Sequence, residues 1–427
     1  MSLLALSVSQ LGQGLRRGAF SAEEVTRAAL GRIAALDGTL HAFVRVEEDA
    51  ALAAARAADA ELRGGHDRGP LHGIPYATKD IFDVAGLPTT CQSRLRLDHV
   101  AAADAAVTAR LRAGGAVLLG KLATFEFALG GTSFDLPFPP ARNPWNTEHI
   151  PGGSSSGSAA AVAAGLLRVA TASCTSGSIR GPAAWCGVAG LKPSFGRVSR
   201  GGCTPEASSL DCVGPFASDL AGIETAMAMI DPGFRPAPTP KAVRLGWVTT
   251  AADPKIAAAV RSALESSGVT VVEVALEGMQ EAFEAGIAIM AAEMWELFGA
   301  LAQDPRMGAD VQARIRAAEN VTPDQLAAAE AVRVRFRDAV DRVLHDVDAI
   351  ALPTLPAAPP RLDDLGDPAR ILGLTALVRP FNLSGHPAIS LPIDGPDDQP
   401  AAIQLVGPMM ADEQLCAIAR RVVGGDA

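Results

Sequence analysis

The sequence predicts an α/β protein with a helical insertion, and three observations carry that prediction. Strand-like and helical segments alternate from Val243 to Val274, a mostly helical stretch runs from Glu281 to Leu344, and strand-like "AISLPI" and "AIQLVG" follow it. The 427 residues, 48% of them apolar, suffice to fill a large core, so a folded chain is expected.

Near the start, Ser21 and Glu24 form a capping-box pair, and Val25, Ala28, Ala29, Ile33 and Leu36 recur at helical spacing before Gly38. An Ala-rich helix is predicted from Asp49 to Leu62, after which Gly73 and Pro75 break "PLHGIPYATKDIFDV" into short extended pieces. "GAVLLGK" (Gly115 to Lys121) imitates the opening of a phosphate-binding loop. Leu122 stands where a Ser or Thr would hold magnesium, and the four residues between the glycines are apolar, so a buried strand is the expectation. "VRLGWVTT" (Val243 to Thr250) and "VTVVEV" (Val269 to Val274) read as strands around a helix from Pro254 to Glu265. Pro-rich "RPAPTPK" (Arg235 to Lys241) reads as a linker and "LPTLPAAPP" (Leu352 to Pro360) as a loop; no internal repeat is present.

A formal net charge of −10 with no basic cluster argues against a nucleic-acid binder, whose affinity rests on Lys and Arg neutralising phosphates. The chain has no run of about 18 charge-free apolar residues, and "MSLLALSVSQLGQGLRR" lacks the pattern of a secretory signal, so no membrane partner and a cytoplasmic location are expected. The six cysteines are irregularly spaced without a CxxC pair, which predicts buried thiols rather than a zinc site or a disulfide framework. No motif calls for a metal or an organic cofactor.

The stretch "PGGSSSGSAAAVAAG" (Pro151 to Gly165) concentrates hydroxyls ahead of a small-residue helix predicted from Ala159 to Leu167. A helix start presents unpaired N–H groups, so the serines there either cap it or hold polar groups in a site. A second loop, "TASCTSGSIRGP" (Thr171 to Pro182), again sets hydroxyls beside a glycine. Successive N–H groups in such a loop can stabilise charge on a carbonyl oxygen, with a neighbouring hydroxyl as nucleophile. A serine nucleophile needs a base. None of His41, His66, His72, His99, His149, His345 or His386 sits in a recognisable triad context, whereas a lysine held neutral by burial can serve, and Lys79 in "YATKDIFD" is the candidate.

"GIPYATKDIFD", "NPWNTEHIPGGSSSGSAAAVAAG", "SGSIRGPAAWCGVAGLKPSFGRVSR", "SSLDCVGPFASD", "FNLSGHPAISLPI" and "AIQLVGP" together, and in this order, resemble the amidase signature family of serine hydrolases. The resemblance implies a large mixed central β-sheet covered by helices on both faces. It also implies one domain over residues 1–427: a helical arm to 65, a signature core over 66–235, an α/β and helical insertion or cap over 236–345, and a C-terminal return over 346–427. The implied reaction is hydrolysis of a small amide substrate through an acyl-enzyme and a Ser-cisSer-Lys triad. The triad falls on Ser178 as nucleophile, Ser154 as relay after a cis peptide bond, and Lys79 as base. Backbone N–H groups of Thr175, Ser176, Gly177 and Ser178 are the implied oxyanion donors, and the remaining serines cap the helix or line the site.

The nucleophile loop departs from the family's usual Thr-Asp-Thr-Gly-Gly-Ser at Cys174 and Ser176. That leaves open a weakened homologue, a positive φ forced on Ser176, or Cys174 itself as nucleophile. Arg180 has two readings, a grip on a substrate carboxylate or a buried ion pair. The resemblance extends to the amidase-like subunits of amidotransferases, which release ammonia for a partner. The chain's length and its helical segment around Met290 to Val343 favour instead a stand-alone hydrolase, similar to carboxybiuret-hydrolase-type amidases. A homodimer, a small accessory subunit, and a purely structural or binding protein all stay open on the sequence.

Overall fold

The computed structural model describes residues 2–205 and 208–424. Eleven strands form one mixed sheet: β1 Phe43–Val46, β2 Pro75–Lys79, β3 Val117–Leu122, β4 Val169–Cys174, β5 Ala189–Lys192, β6 Cys212–Ala217, β7 Arg244–Trp247, β8 Thr270–Glu273, β9 Ala349–Pro353, β10 Ala388–Asp394 and β11 Pro400–Val406. Their spatial order is β1-β3-β2-β4-β6-β5-β10-β11-β9-β7-β8. The β3-β2-β4 and β9-β7-β8 groups pair in parallel; the strands between them are antiparallel. Helices cover both faces, with the Ser156–Ala163 and Leu220–Ile230 helices packing on the same pair of strands, β4 and β6.

Local chemistry explains the elements that frame the site. Ser21 Oγ accepts from Glu24 N (3.0 Å) and Glu24 Oε2 from Ser21 N (2.7 Å), the reciprocal cap read from the sequence. The helix it starts, Ala22–Leu40, runs through Gly38 and ends where His41 takes a left-handed conformation (φ 50°). "GAVLLGK" is the buried strand β3, and the phosphate-loop imitation goes no further. The serine-rich segment becomes a helix only from Ser156 to Ala163, because Gly165 (φ 65°) ends it short of Leu167 and turns the chain toward β4. The mostly helical stretch read from Glu281 to Leu344 comprises the helices Met279–Phe298, Ala309–Ala318 and Pro323–Asp346, the last two beginning after loops and packing against the first. All six cysteine sulfurs are buried thiols. No helix of the described residues is long and apolar enough to cross a membrane.

β2 is buried along its whole length between β3 and β4, as a strand in a parallel group covered on both faces must be. Its end is tied down by a buried ion pair between Asp80 Oδ1 and Lys121 Nζ of β3 (2.9 Å). Lys121 Nζ also donates to Phe82 O (2.8 Å), while Asp80 accepts from Thr90. Removing one partner strands the other charge without solvent. Asp80→Ala should therefore lower stability by about 3–5 kcal/mol, read as a fall in denaturant midpoint at unchanged slope. A midpoint within error of wild type would show that the pair is dispensable.

Candidate active site

Lys79 is the last residue of β2, and its parallel neighbour β4 ends at Cys174, so both strands open at the same edge of the sheet. The register sets Thr78 opposite Thr171, and their hydroxyls bond (2.6 Å). Lys79 Nζ donates to Ser154 Oγ (2.7 Å) and Ser173 Oγ (2.9 Å). Its exposure is 0%, and burial pushes its pKa down to about 8, against the pull of the Cys203 thiol and the Asp211 carboxyl. Asp211 is itself buried, and burial raises its carboxyl to about 6.

Ser154 (2% exposed) and Ser178 (6%) stand on the wall of one cavity of about 170 Å³, without a hydrogen bond between them. The peptide bond from Gly153 to Ser154 is cis. Gly152 takes φ 85°, and a Cβ on Gly153 would run into the Phe125 ring, so the turn that presents Ser154 requires both glycines. The other serines dock the helix onto the sheet instead of capping it. Ser155 Oγ donates to Ser173 O (3.1 Å), Ser156 Oγ to Ala123 O (3.4 Å) and Ser158 Oγ to Thr171 O (3.0 Å).

The N–H groups of Thr175, Ser176, Gly177 and Ser178 find no acceptor among the described residues. Ser176, Gly177 and Ser178 line the cavity, while Thr175 lines a smaller adjoining one with Ser173, Asp211 and Glu293. Positive φ in this loop falls on Gly177 (112°) and not on Ser176, so the serine sits there without the conformational cost its side chain threatened.

Two sequence readings do not fit this geometry. Arg180 is absent from the cavity wall: its guanidinium is 0% exposed, donating to Gln404 Oε1 (2.6 Å) and Asn382 Oδ1, with Cys174 Sγ 3.7 Å away. It therefore does not face the cavity, and among the described residues it forms no ion pair with a carboxylate; the amide oxygens of Gln404 and Asn382 and the Cys174 sulfur are its partners. Cys174 is fully buried behind the loop. Burial alone raises its pKa, but the Arg180 guanidinium, the Ile179 N–H and Lys192 outweigh that and hold the thiol below its ordinary value. It does not line the cavity, so it is not placed as a nucleophile.

Sequence reasoning missed Ser173, Asp211 and the insertion's share of the wall, which includes Met290, Met294, Asp310 and Arg314. It also missed Arg379, from the short Arg379–Leu383 helix. Alternation along β4 was the available signal for Ser173, which shares a face with Thr171, whose hydroxyl bonds Thr78 of the strand that Lys79 ends. Among the described residues no cluster of three His, Cys, Asp or Glu side chains is placed to hold a metal.

The Amidase family profile matches residues 24–416. The chain belongs to the amidase family. The family's spread is visible among its relatives. The glutamyl-tRNA(Gln) amidotransferase A-subunit of Chloroflexus aggregans is 36% identical over 452 residues, covering 94% of this chain and 92% of the relative. A chain from a vestigial protein complex bearing on the evolutionary origins of an s-triazine catabolic enzyme has a TM-score of 0.88 at 31% identity, covering 98% of both chains. The 6-aminohexanoate cyclic dimer hydrolase has a TM-score of 0.86 at 27% identity, covering 99% of this chain and 97% of that one. This amidase-family chain thus resembles both hydrolases and one component of an amidotransferase over nearly its whole length.

Proposed function

We propose that this protein hydrolyses a small carboxamide through an acyl-enzyme, with Ser178 as nucleophile, Ser154 as proton relay and Lys79 as base. The observation that carries the reading is a fully buried lysine with a pKa of about 8, bonded to a serine on the wall of the cavity that Ser178 also lines. Neutral Lys79 takes the Ser154 proton as Ser154 takes that of Ser178, whose oxygen attacks the amide carbon. The N–H groups of Ser176, Gly177 and Ser178 receive the developing oxyanion, and the same relay returns the proton to the departing nitrogen. Water, deprotonated through the relay, then splits the ester and restores Ser178.

The test is intact-mass spectrometry after treatment with a fluorophosphonate. A single adduct on wild type, absent from Ser178→Ala and much slowed in Lys79→Ala, is expected; an unmodified wild type would overturn the reading. Because only unprotonated Lys79 accepts a proton, kcat/KM should rise about tenfold per pH unit up to about 8 and level off above it. A profile flat from pH 6 to 9 would remove Lys79 from the base role.

One observation favours a second reading, in which ammonia from an amide is passed to a partner. The relative in Chloroflexus aggregans bears the amidotransferase name, and the match spans 92% of it, which weakens the objection from chain length. Glutamine hydrolysis that depends on a co-purifying protein would favour this reading. Turnover of small amides, ureides among them, by the isolated chain favours the first.

A further inference from the structure

The cavity beside Ser178 has on its wall a cation that no carboxylate of the described residues neutralises. Its wall carries three charged residues, Asp310, Arg314 and Arg379. Arg314 Nε is spoken for by Asp310 Oδ1 and Oδ2 (3.1 and 3.2 Å), which leaves Arg379. That guanidinium is 2% exposed, yet among the described residues no carboxylate reaches it. Its Nε and Nη2 donate to the single hydroxyl of Thr375 (3.3 and 3.2 Å), and Nη1 meets only the weakly accepting sulfur of Met290 (3.7 Å).

The fold nevertheless seats this side chain carefully. Its guanidinium carbon lies 5.6 Å from the centre of the Phe283 ring. One turn further along the same helix, Gly286 leaves room for its stem: a Cβ there would sit 3.1 Å from Arg379 Cγ. Val378, the preceding residue, packs on Gly177 next to the nucleophile, which fixes the origin of the side chain relative to the oxyanion donors. Thr375, Val378 and Arg379 all line the cavity. Burial, with the Arg314 charge adding to it, brings the pKa of Arg379 down to about 10, the response of a cation short of a counter-charge. Buried guanidinium groups are ordinarily paired, and a planar fork with free N–H groups matches a carboxylate.

We propose that Arg379 binds the carboxylate of the substrate, so that the preferred substrates are short amides bearing a carboxylate, such as the monoamide of a small dicarboxylic acid. This specificity rests on the amidohydrolase reading above. The charge count fits it: Arg314 and Asp310 cancel, and a substrate carboxylate cancels Arg379, leaving the cavity wall with its ligand neutral. The role that sequence suggested for Arg180 thus moves to a residue some 200 positions later in the chain, one that does reach the cavity wall.

The experiment compares succinamate with neutral succinamide as protectants of Ser178 against a fluorophosphonate, at constant ionic strength, in wild type, Arg379→Gln and Arg379→Lys. Succinamate should protect wild type better than succinamide, and the ratio of the two protection constants should fall by about 10- to 100-fold in Arg379→Gln. Arg379→Lys, which keeps the charge and loses the fork, should lie between. Equal protection by the two compounds in wild type, or a ratio unchanged in Arg379→Gln, overturns the proposal.

Calorimetric titration of succinamate into Ser178→Ala, and into Ser178→Ala carrying Arg379→Gln, reads the same preference without the nucleophile. If wild type takes up no probe but succinamate binds Ser178→Ala in an Arg379-dependent way, the reaction fails and the anion site stands. If the probe labels Ser178 and carboxylates show no preference, the anion site fails and the hydrolase stands.

Discussion

Lys79→Ala is expected to cut kcat/KM by about 10²- to 10⁴-fold and to abolish the rise toward pH 8. Ser154 then has no group to take its proton, because Lys79 Nζ is the side-chain nitrogen bonded to it, and Ser173, the other hydroxyl on Lys79, is no base. Melting temperatures measured alongside separate this from unfolding. A variant that melts like wild type and keeps its rate would show that the buried amine plays no part in the chemistry.

Gly177→Ala should be nearly as severe, at about 10²- to 10³-fold in kcat, the scale of losing an oxyanion donor. Two effects combine: φ at this position is 112°, which an alanine adopts only under strain, and the added methyl would overlap Val378 Cγ2. The loop must move, and with it the N–H groups of Ser176 to Ser178. Adding Val378→Ala removes the collision but not the backbone cost, so the double variant should recover part of the rate. A single variant with wild-type kcat would mean that the donors lie elsewhere.

Lys79 stood out as a candidate from its own segment, whereas Ser154 and Ser178 were singled out by the family resemblance; each of the three sits in a short motif, a strand end for Lys79, a double-glycine turn before Ser154 and a glycine loop before Ser178. Their family resemblance named the order. Arg379 carries no such mark. It opens a five-residue helix shortly after the Pro368–Gly373 helix, and its meaning depends on what other segments withhold from it, which no window of sequence displays. Arg180 shows the converse error. Proximity to the nucleophile in sequence suggested proximity to substrate, but the helix beginning there turns the side chain inward, onto Asn382 and Gln404 from the far end of the chain. The phosphate-loop imitation failed for a simpler reason: Gly115 and Gly120 serve the approach of neighbouring segments, with the backbone of Arg45 lying against Gly120.

The strand order also bears on how the protein is made. β10 and β11, from residues 388–406, fill the gap between β5 and β9 and so join two halves built from earlier sequence. Asn382, just before them, holds the carbonyls of Cys174 and Leu210 (2.7 and 3.2 Å) and so braces the nucleophile loop. While the ribosome is still translating residue 380, Lys79, Ser154 and Ser178 have all been synthesised, but the central seam of the sheet is open and that brace is missing. Pairings this distant in sequence close late. A nascent or C-terminally truncated chain therefore holds Lys79, Ser154 and Ser178 while the central seam of the sheet is open, and under the hydrolase reading proposed above it is expected to be inactive until synthesis is nearly complete.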